Sequence, residues 1–320
     1  MYKVYEIYTM KTTKRNKHKR RLAKGPIGSG SPHADWAYNF LPFEERLSAE
    51  VLGQRDAVQK VASILSCHIN RERIKTSTPA SRVLIVGGPS VGKSFLIEKA
   101  LELLQVPKTF ANCAMISPPG YRGFDCSSAL KNLIAEARDI SRAERSSVCV
   151  LDEIDKLKRR GSDDFLKQIE YSMLPILNGE PVVVDTEESE TPVTFSTRNT
   201  LVFAMGVFPE VSPSNWQSAE KSQRALLRYG FSEEFVSRFS HFIYMPPINR
   251  ISLQSLVERE IQSAASTYKT GKFIPIISRL EMANLNKAVL KNNLGIRGIR
   301  TNIHELLFTK ARAASVEAYF

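Results

Sequence analysis

The chain has 320 residues, 42% hydrophobic and 24% charged, with a formal net charge of +12. That length suffices for a sizeable core and points to two folded units, and the composition is globular rather than fibrous or low-complexity. No run approaches the roughly 20 apolar residues of a membrane span, and the basic N-terminus lacks the apolar centre of a secretory signal.

Residues 11–24, KTTKRNKHKRRLAK, hold eight lysines and arginines and no acid, so they carry +8 of the net charge. Such a block is ordinarily solvated and irregular. The alternative is contact with nucleic acid or an acidic partner. GPIGSGSP behind it reads as a flexible linker. Residues 1–39 are therefore expected to be arm and linker, with ordered structure beginning near Phe40.

From Leu47 the sequence reads as a short turn and then a helix, with Val58, Val61, Ala62, Ile64 and Leu65 on one broad face. RVLIVGG is a short apolar run closed by glycines, as a buried parallel strand is. SFLIEKALELL is the helix that follows. KTFANCA is a weaker strand, SALKNLIAEARDISRAE a single helix, and SSVCVLDEID a buried strand with acids at its carboxyl end. DDFLKQIEYSMLPILNG is a helix stopped by Gly179. NTLVFAMG and HFIYM complete the strands. Strands alternating with helices argue for an α/β fold, a parallel sheet with helices on both faces.

After MPPINR the pattern becomes helical in ISLQSLVEREIQSAASTYK, SRLEMANLNKAVLKNN and GIRTNIHELLFTKARAASVEAY, with KFIPII a candidate lone strand. This divides the chain into residues 40–246, a large α/β unit, and 247–320, a smaller helical one. The cysteines, Cys67, Cys113, Cys126 and Cys149, are scattered without a CxxC pair. That argues against a zinc module and fits a reducing, cytoplasmic compartment.

Gly87-Gly88-Pro89-Ser90-Val91-Gly92-Lys93-Ser94, followed by Phe95, fits G-x-x-x-x-G-K-[ST] between a strand and a helix, the context that motif requires. Glycines let backbone N–H groups turn inward onto phosphates, and the helix N-terminus adds positive potential. Lys93 reaches the terminal phosphates of ATP and the Ser94 hydroxyl suits Mg²⁺. Asp152, at the end of an apolar strand, is the second metal candidate. Glu153 beside it is placed to orient and polarise the attacking water. Asp155 and Lys156 read as local surface or structural groups.

Taken together, these residues resemble the AAA+ ATPases, and specifically the ClpX-type unfoldases, from about Glu50 to the end. The resemblance implies a P-loop AAA+ domain followed by a small helical lid domain. VLGQRDAVQ resembles the family's adenine-side segment, which implies that Val51 and Leu52 pack on the base. GYRG, residues 120–123, resembles the aromatic pore loop, which gives Tyr121 and Arg122 a role in gripping threaded polypeptide. The flanking glycines would let that loop move. GFSEEFVSRF resembles the segment whose arginine reaches a neighbour's nucleotide, making Arg238 the trans arginine. LGIRGIR resembles the sensor-2 motif, which puts Arg297 near the γ-phosphate and leaves Arg300 structural. The family forms rings, commonly hexamers, that act on polypeptide substrates.

The chain departs from that family in several places. It lacks the N-terminal zinc module, and it has no match to the I-G-F peptidase-docking loop, so a peptidase partner does not carry over. Residues 185–190, DTEESE, are acidic where a basic loop is usual; they read as a solvated hairpin tip or as an acidic rim. Arg122 replaces the usual valine, which would make a pore basic. VFAMGVF has no polar side chain at the sensor-1 position, and Asn199 and Thr200 sit at the wrong end of that strand. The alternative function is a nucleic-acid-associated AAA+ ATPase, a loader or a transposition or replication regulator, working through residues 11–24.

Overall fold

A computed structural model describes residues 39–74, 76–116, 126–159, 163–186, 191–265, 267–268, 277–291 and 296–319. The basic arm, the Tyr121–Arg122 loop, residues 187–190 of the acidic segment and residues 272–276 of KFIPII lie outside the described residues.

The described residues open with α1 (Phe40–Glu50) and α2 (Arg55–Ile74). The run read as a turn before α2 is in part helix. Phe43 and Leu47 are spaced one helical turn apart and both are fully buried, which anchors α1 before the bend at Val51–Gln54. β1 (Arg82–Gly87) and α3 (Lys93–Leu104) follow, then β2 (Lys108–Asn112), α4 (Cys126–Ala137), α5 (Ile140–Arg145), β3 (Ser147–Asp152) and α6 (Asp163–Asn178). The stretch expected as one helix from Ser128 breaks between α4 and α5. Arg138 takes the left-handed conformation, φ +56°. The Asp139 carboxylate then accepts the N–H groups of Ser141 and Arg142, both at 3.1 Å, and so caps a new helix.

A hairpin of β4 (Pro181–Val184) and antiparallel β5 (Val193–Ser196) leads into β6 (Thr200–Gly206), α7 (Ala219–Tyr229), α8 (Glu233–Ser237) and β7 (His241–Met245). Among the described residues, the five other strands form one parallel sheet in the order β2-β3-β6-β1-β7. Strand alternation sends successive side chains to opposite faces. Leu84, Val86, Cys149, Leu151, Val202 and Ala204 enter one core, covered by α4 and α6. Val83, Ile85, Val148, Val150, Leu201 and Phe203 enter the other, covered by α1, α2 and α3. Both faces are dry, which is why these strands read as continuous apolar runs.

Arg82 begins β1 and is 3% exposed. Its guanidinium donates to the carbonyls of Ile176, Leu177, Ala80, Ser81 and Thr200. It thus closes the last turn of α6 against the amino-terminal end of the sheet, where helix carbonyls lack intrahelical donors. Burial lowers its pKa to about 10.

The last three helices are α9 (Arg250–Ala265), α10 (Arg279–Lys291) and α11 (Ile296–Tyr319). They share a separate core of Leu253, Val257, Ala264, Leu285, Ile299, Ile303 and Leu307. Among the described residues no helix is long and apolar enough to cross a membrane.

Candidate functional site: a phosphate cradle beside an acidic strand end

The loop between β1 and α3 leaves the carboxyl end of a central strand. A Cβ on Gly87 would lie 2.6 Å from the Met245 carbonyl, so only glycine lets the ends of β1 and β7 approach this closely. Ser90 and Gly92 adopt φ of +57° and +100°, which turns the loop back into α3. A Cβ on Gly88 would meet nothing nearer than 3.7 Å, so that side of the loop is open. The first N–H groups of α3 have no intrahelical acceptor and face an anion-binding position.

Lys93 is 9% exposed, and its Nζ donates to the Gly87 and Gly88 carbonyls at 2.8 and 3.0 Å. Burial lowers its pKa; Asp152 and Asp155 oppose that shift, and the nearby positive charge of Arg297 adds to it. Ser94 Oγ donates to Asp152 Oδ2 at 3.0 Å. Asp152 Oδ1 accepts the Glu153 N–H at 2.8 Å. Glu153 is half-buried and itself left-handed, φ +57°, an uncommon conformation for a non-glycine that turns the chain sharply at the strand end. An open glycine cradle, a buried cation, and a hydroxyl hydrogen-bonded to a carboxylate, both offering hard oxygens, suit a nucleoside triphosphate with Mg²⁺.

The helical unit closes on this loop. The Ile296 N–H donates to the Ser90 carbonyl at 3.1 Å, which sets the N-terminus of α11, and with it the exposed Arg297, against the cradle. Arg259 donates to the carbonyls of Ala49 and Glu50 and to the Glu50 carboxylate at 3.0, 2.7 and 2.9 Å. Val51 is buried in the core below the loop and Leu52 is half-buried. Phe95 is half-buried against the same core.

Gln54, which the sequence reading passed over, is 3% exposed. Its Nε2 donates to the Val91 carbonyl in the loop at 3.2 Å and to the Pro246 carbonyl at the exit of β7 at 2.8 Å. A single glutamine in a bend carries no periodic signal, so only its long-range partners reveal it. Arg238 caps α8, and its Nη2 donates to Glu234 Oε1 at 3.3 Å, while its Nε is buried without a hydrogen-bond partner among the described residues. Arg300 pairs with Glu260 at 2.8 Å. Tyr121 and Arg122 lie outside the described residues.

A parallel sheet in this strand order, a phosphate cradle at its central strand, an acid pair on the strand two places away and a helical unit against the cradle define a P-loop ATPase of the AAA+ class. Residues 47–242 match the family described as "AAA domain (Cdc48 subfamily)", and the chain belongs to that family. It is a ClpX-like AAA+ ATPase. It is 26% identical over 258 residues to the ATP-dependent Clp protease ATP-binding subunit ClpX 2 of Wolinella succinogenes, covering 71% of this chain and 64% of that protein. It is 25% identical over 328 residues to ClpX of Borrelia duttonii, covering 87% and 76%. Against ClpX of Bacteroides fragilis the identity is 23% over 306 residues, covering 82% and 73%. The chain thus spans under two thirds of the Wolinella relative's length.

Proposed function

We propose that this chain is an ATP-driven polypeptide unfoldase or remodeller that works in the cytoplasm as a homo-oligomeric ring, a hexamer. The observation that carries the reading is the meeting of Ser94 with Asp152 at 3.0 Å beside a buried Lys93, with α11 docked on the same loop through Ser90. A nucleotide in that position touches both the sheet and the helical unit, so its cleavage alters how the two sit together.

In this reading the loop N–H groups and Lys93 bind the phosphates, Ser94 and Asp152 hold Mg²⁺, and Val51 and Leu52 flank the base. Mg²⁺, when bound, neutralises the charge that develops between the outer phosphates. Glu153 accepts a proton from the attacking water and orients it in line. Arg297 from the same chain and Arg238 from a neighbour add positive charge at the transferred phosphoryl group, which is where this reaction needs it. Tyr121 and Arg122, between Gly120 and Gly123, grip the threaded polypeptide. A tyrosine suits that task because its ring packs on many sequences and its hydroxyl remains solvated.

Tyr121→Ala tests the proposal. ATP turnover is expected to persist while unfolding of a stable, tagged substrate is lost; a variant that still unfolds the substrate at the wild-type rate overturns the threading role. The second reading, nucleic-acid association, draws on the eight cations of residues 11–24. Deleting residues 1–30 is expected to abolish salt-sensitive DNA binding if that arm has this role, and unchanged DNA affinity removes it.

A further inference from the structure

Asp155 is an acid that the hydrolysis scheme leaves unused. It was expected at the surface or in a local structural role, yet its exposure is 0%. Its Oδ1 accepts the N–H of Val207, the residue immediately after β6, at 3.0 Å. Its Oδ2 lies 3.5 Å from Lys156 Nζ and has no hydrogen-bond partner among the described residues. Its backbone carbonyl accepts the hydroxyl of Tyr229, the last residue of α7, at 3.3 Å. One residue thus joins the turn that carries Glu153, the end of β6 and the end of α7.

The surroundings are shaped around that junction. A Cβ on Gly206 would lie 3.1 Å from Asp155 Oδ1 and 2.5 Å from the Phe208 ring, so glycine is what lets the carboxylate reach the strand end. Phe208 is itself left-handed, φ +49°, which turns its ring inward. That ring lies 5.1 Å from Tyr229 and 6.4 Å from Phe231. Phe231 stacks on Phe235 of α8 at 5.3 Å, and Arg238 caps that helix. A continuous run of packed rings, half-buried at Tyr229 and buried beyond it, therefore connects the acidic turn to the helix that Arg238 caps.

β6 ends at Gly206 and is followed by Val207, so neither residue offers a polar side chain to orient the acidic turn. We propose that Asp155 is the positioning residue for Glu153: its carboxylate pins the turn to the β6 backbone, and through Tyr229 and Phe208 the same turn is coupled to the Arg238 helix. The inference rests on Glu153 being the residue that orients the attacking water. Glu153 lies two residues before Asp155, and its carbonyl accepts the Lys156 N–H at 2.9 Å, so the two acids belong to one hydrogen-bonded turn.

The test compares Asp155→Ala, Asp155→Asn and Tyr229→Phe with Glu153→Gln in the full chain, reading kcat, KM for ATP, affinity for a fluorescent ATP analogue and melting temperature. Asp155→Ala is expected to lower kcat at least tenfold with KM and affinity within threefold of wild type. Asp155→Asn keeps an acceptor for Val207 and is expected to recover kcat to within threefold. Wild-type kcat in the alanine variant, or an asparagine variant as slow as alanine, overturns the proposal. If the alanine variant does not fold, Tyr229→Phe decides: a two- to fivefold lower kcat at unchanged melting temperature supports the coupling, and an unchanged kcat overturns it. Glu153→Gln separates the two levels of inference. Full activity in that variant refutes the water-orienting role itself, whereas a dead Glu153→Gln beside a normal Asp155→Ala refutes only the positioning role.

Discussion

Ser94 Oγ and Asp152 Oδ2 lie 3.0 Å apart although 58 residues separate them in the chain. The sheet creates this proximity, because β1 and β3 flank β6 and end at the same edge. In the proposed reading, a hydroxyl and a carboxylate held this way would act as one metal-binding pair rather than as two independent ligands. Ser94→Ala is expected to raise the Mg²⁺ concentration needed for half-maximal turnover by about tenfold or more, with the fold intact. A Mg²⁺ titration of ATPase activity measures it, and an unchanged midpoint would remove Ser94 from the metal site.

Glu153→Gln keeps the size of the side chain and removes its ability to take a proton. ATP binding and assembly are expected to persist while turnover falls at least about tenfold, within the range typical of a lost general base. Equilibrium binding and steady-state hydrolysis on the same preparation separate the two effects. Unchanged hydrolysis would exclude Glu153 from the chemistry.

Arg238 is held at the end of α8 by Glu234 at 3.3 Å, a half-exposed contact worth little to stability. Arg238→Ala is therefore expected to leave melting nearly unchanged. Turnover of the assembled protein is expected to fall by about a hundredfold or more, since a trans arginine contributes roughly 10³–10⁵ in related nucleotide hydrolases. A variant with normal turnover would mean that the arginine only caps its helix.

Arg82 supplies five hydrogen bonds to carbonyls at the amino-terminal end of the sheet, opposite the cradle. Arg82→Met would preserve much of its bulk and leave those acceptors short of donors, so a loss of about 2–4 kcal/mol is expected by urea unfolding. A loss below about 1 kcal/mol would show that water replaces the guanidinium without cost.

Glu281 closes the start of α10. Its carboxylate accepts the N–H and the hydroxyl of Ser278, both at 2.7 Å, and the Ser278 hydroxyl accepts the Glu281 N–H at 3.3 Å. This is a reciprocal capping arrangement. The Ser278 bonds, with Lys310 adding to them, lower the carboxyl from 4.5 to about 2. The folded value lies below the unfolded one, so the contribution is fully present above pH 4.5 and is lost as pH falls toward about 2. Thermal unfolding of wild type and Glu281→Gln is expected to differ at pH 6 and to converge in that acid range; curves that remain parallel would refute the assignment.

Much of this protein is local in origin, and local features are what a linear sequence carries. The glycine-rich loop, the apolar runs of β1, β3 and β6, and the helical phase of α9 and α11 each depend on neighbours within a few residues, so spacing alone reveals them. The break at Arg138 and the helix at Phe40 were read less well. The first turns on one left-handed residue and a capping aspartate, and the second on burial of only two side chains. Tertiary structure alone decided that Asp155 is interior, that Gln54 bridges the loop and the exit of β7, and that Arg82 binds carbonyls drawn from three separate segments. These roles depend on groups brought together across tens to hundreds of residues, and a polar side chain shows no sign in its own neighbourhood of which distant backbone will satisfy it.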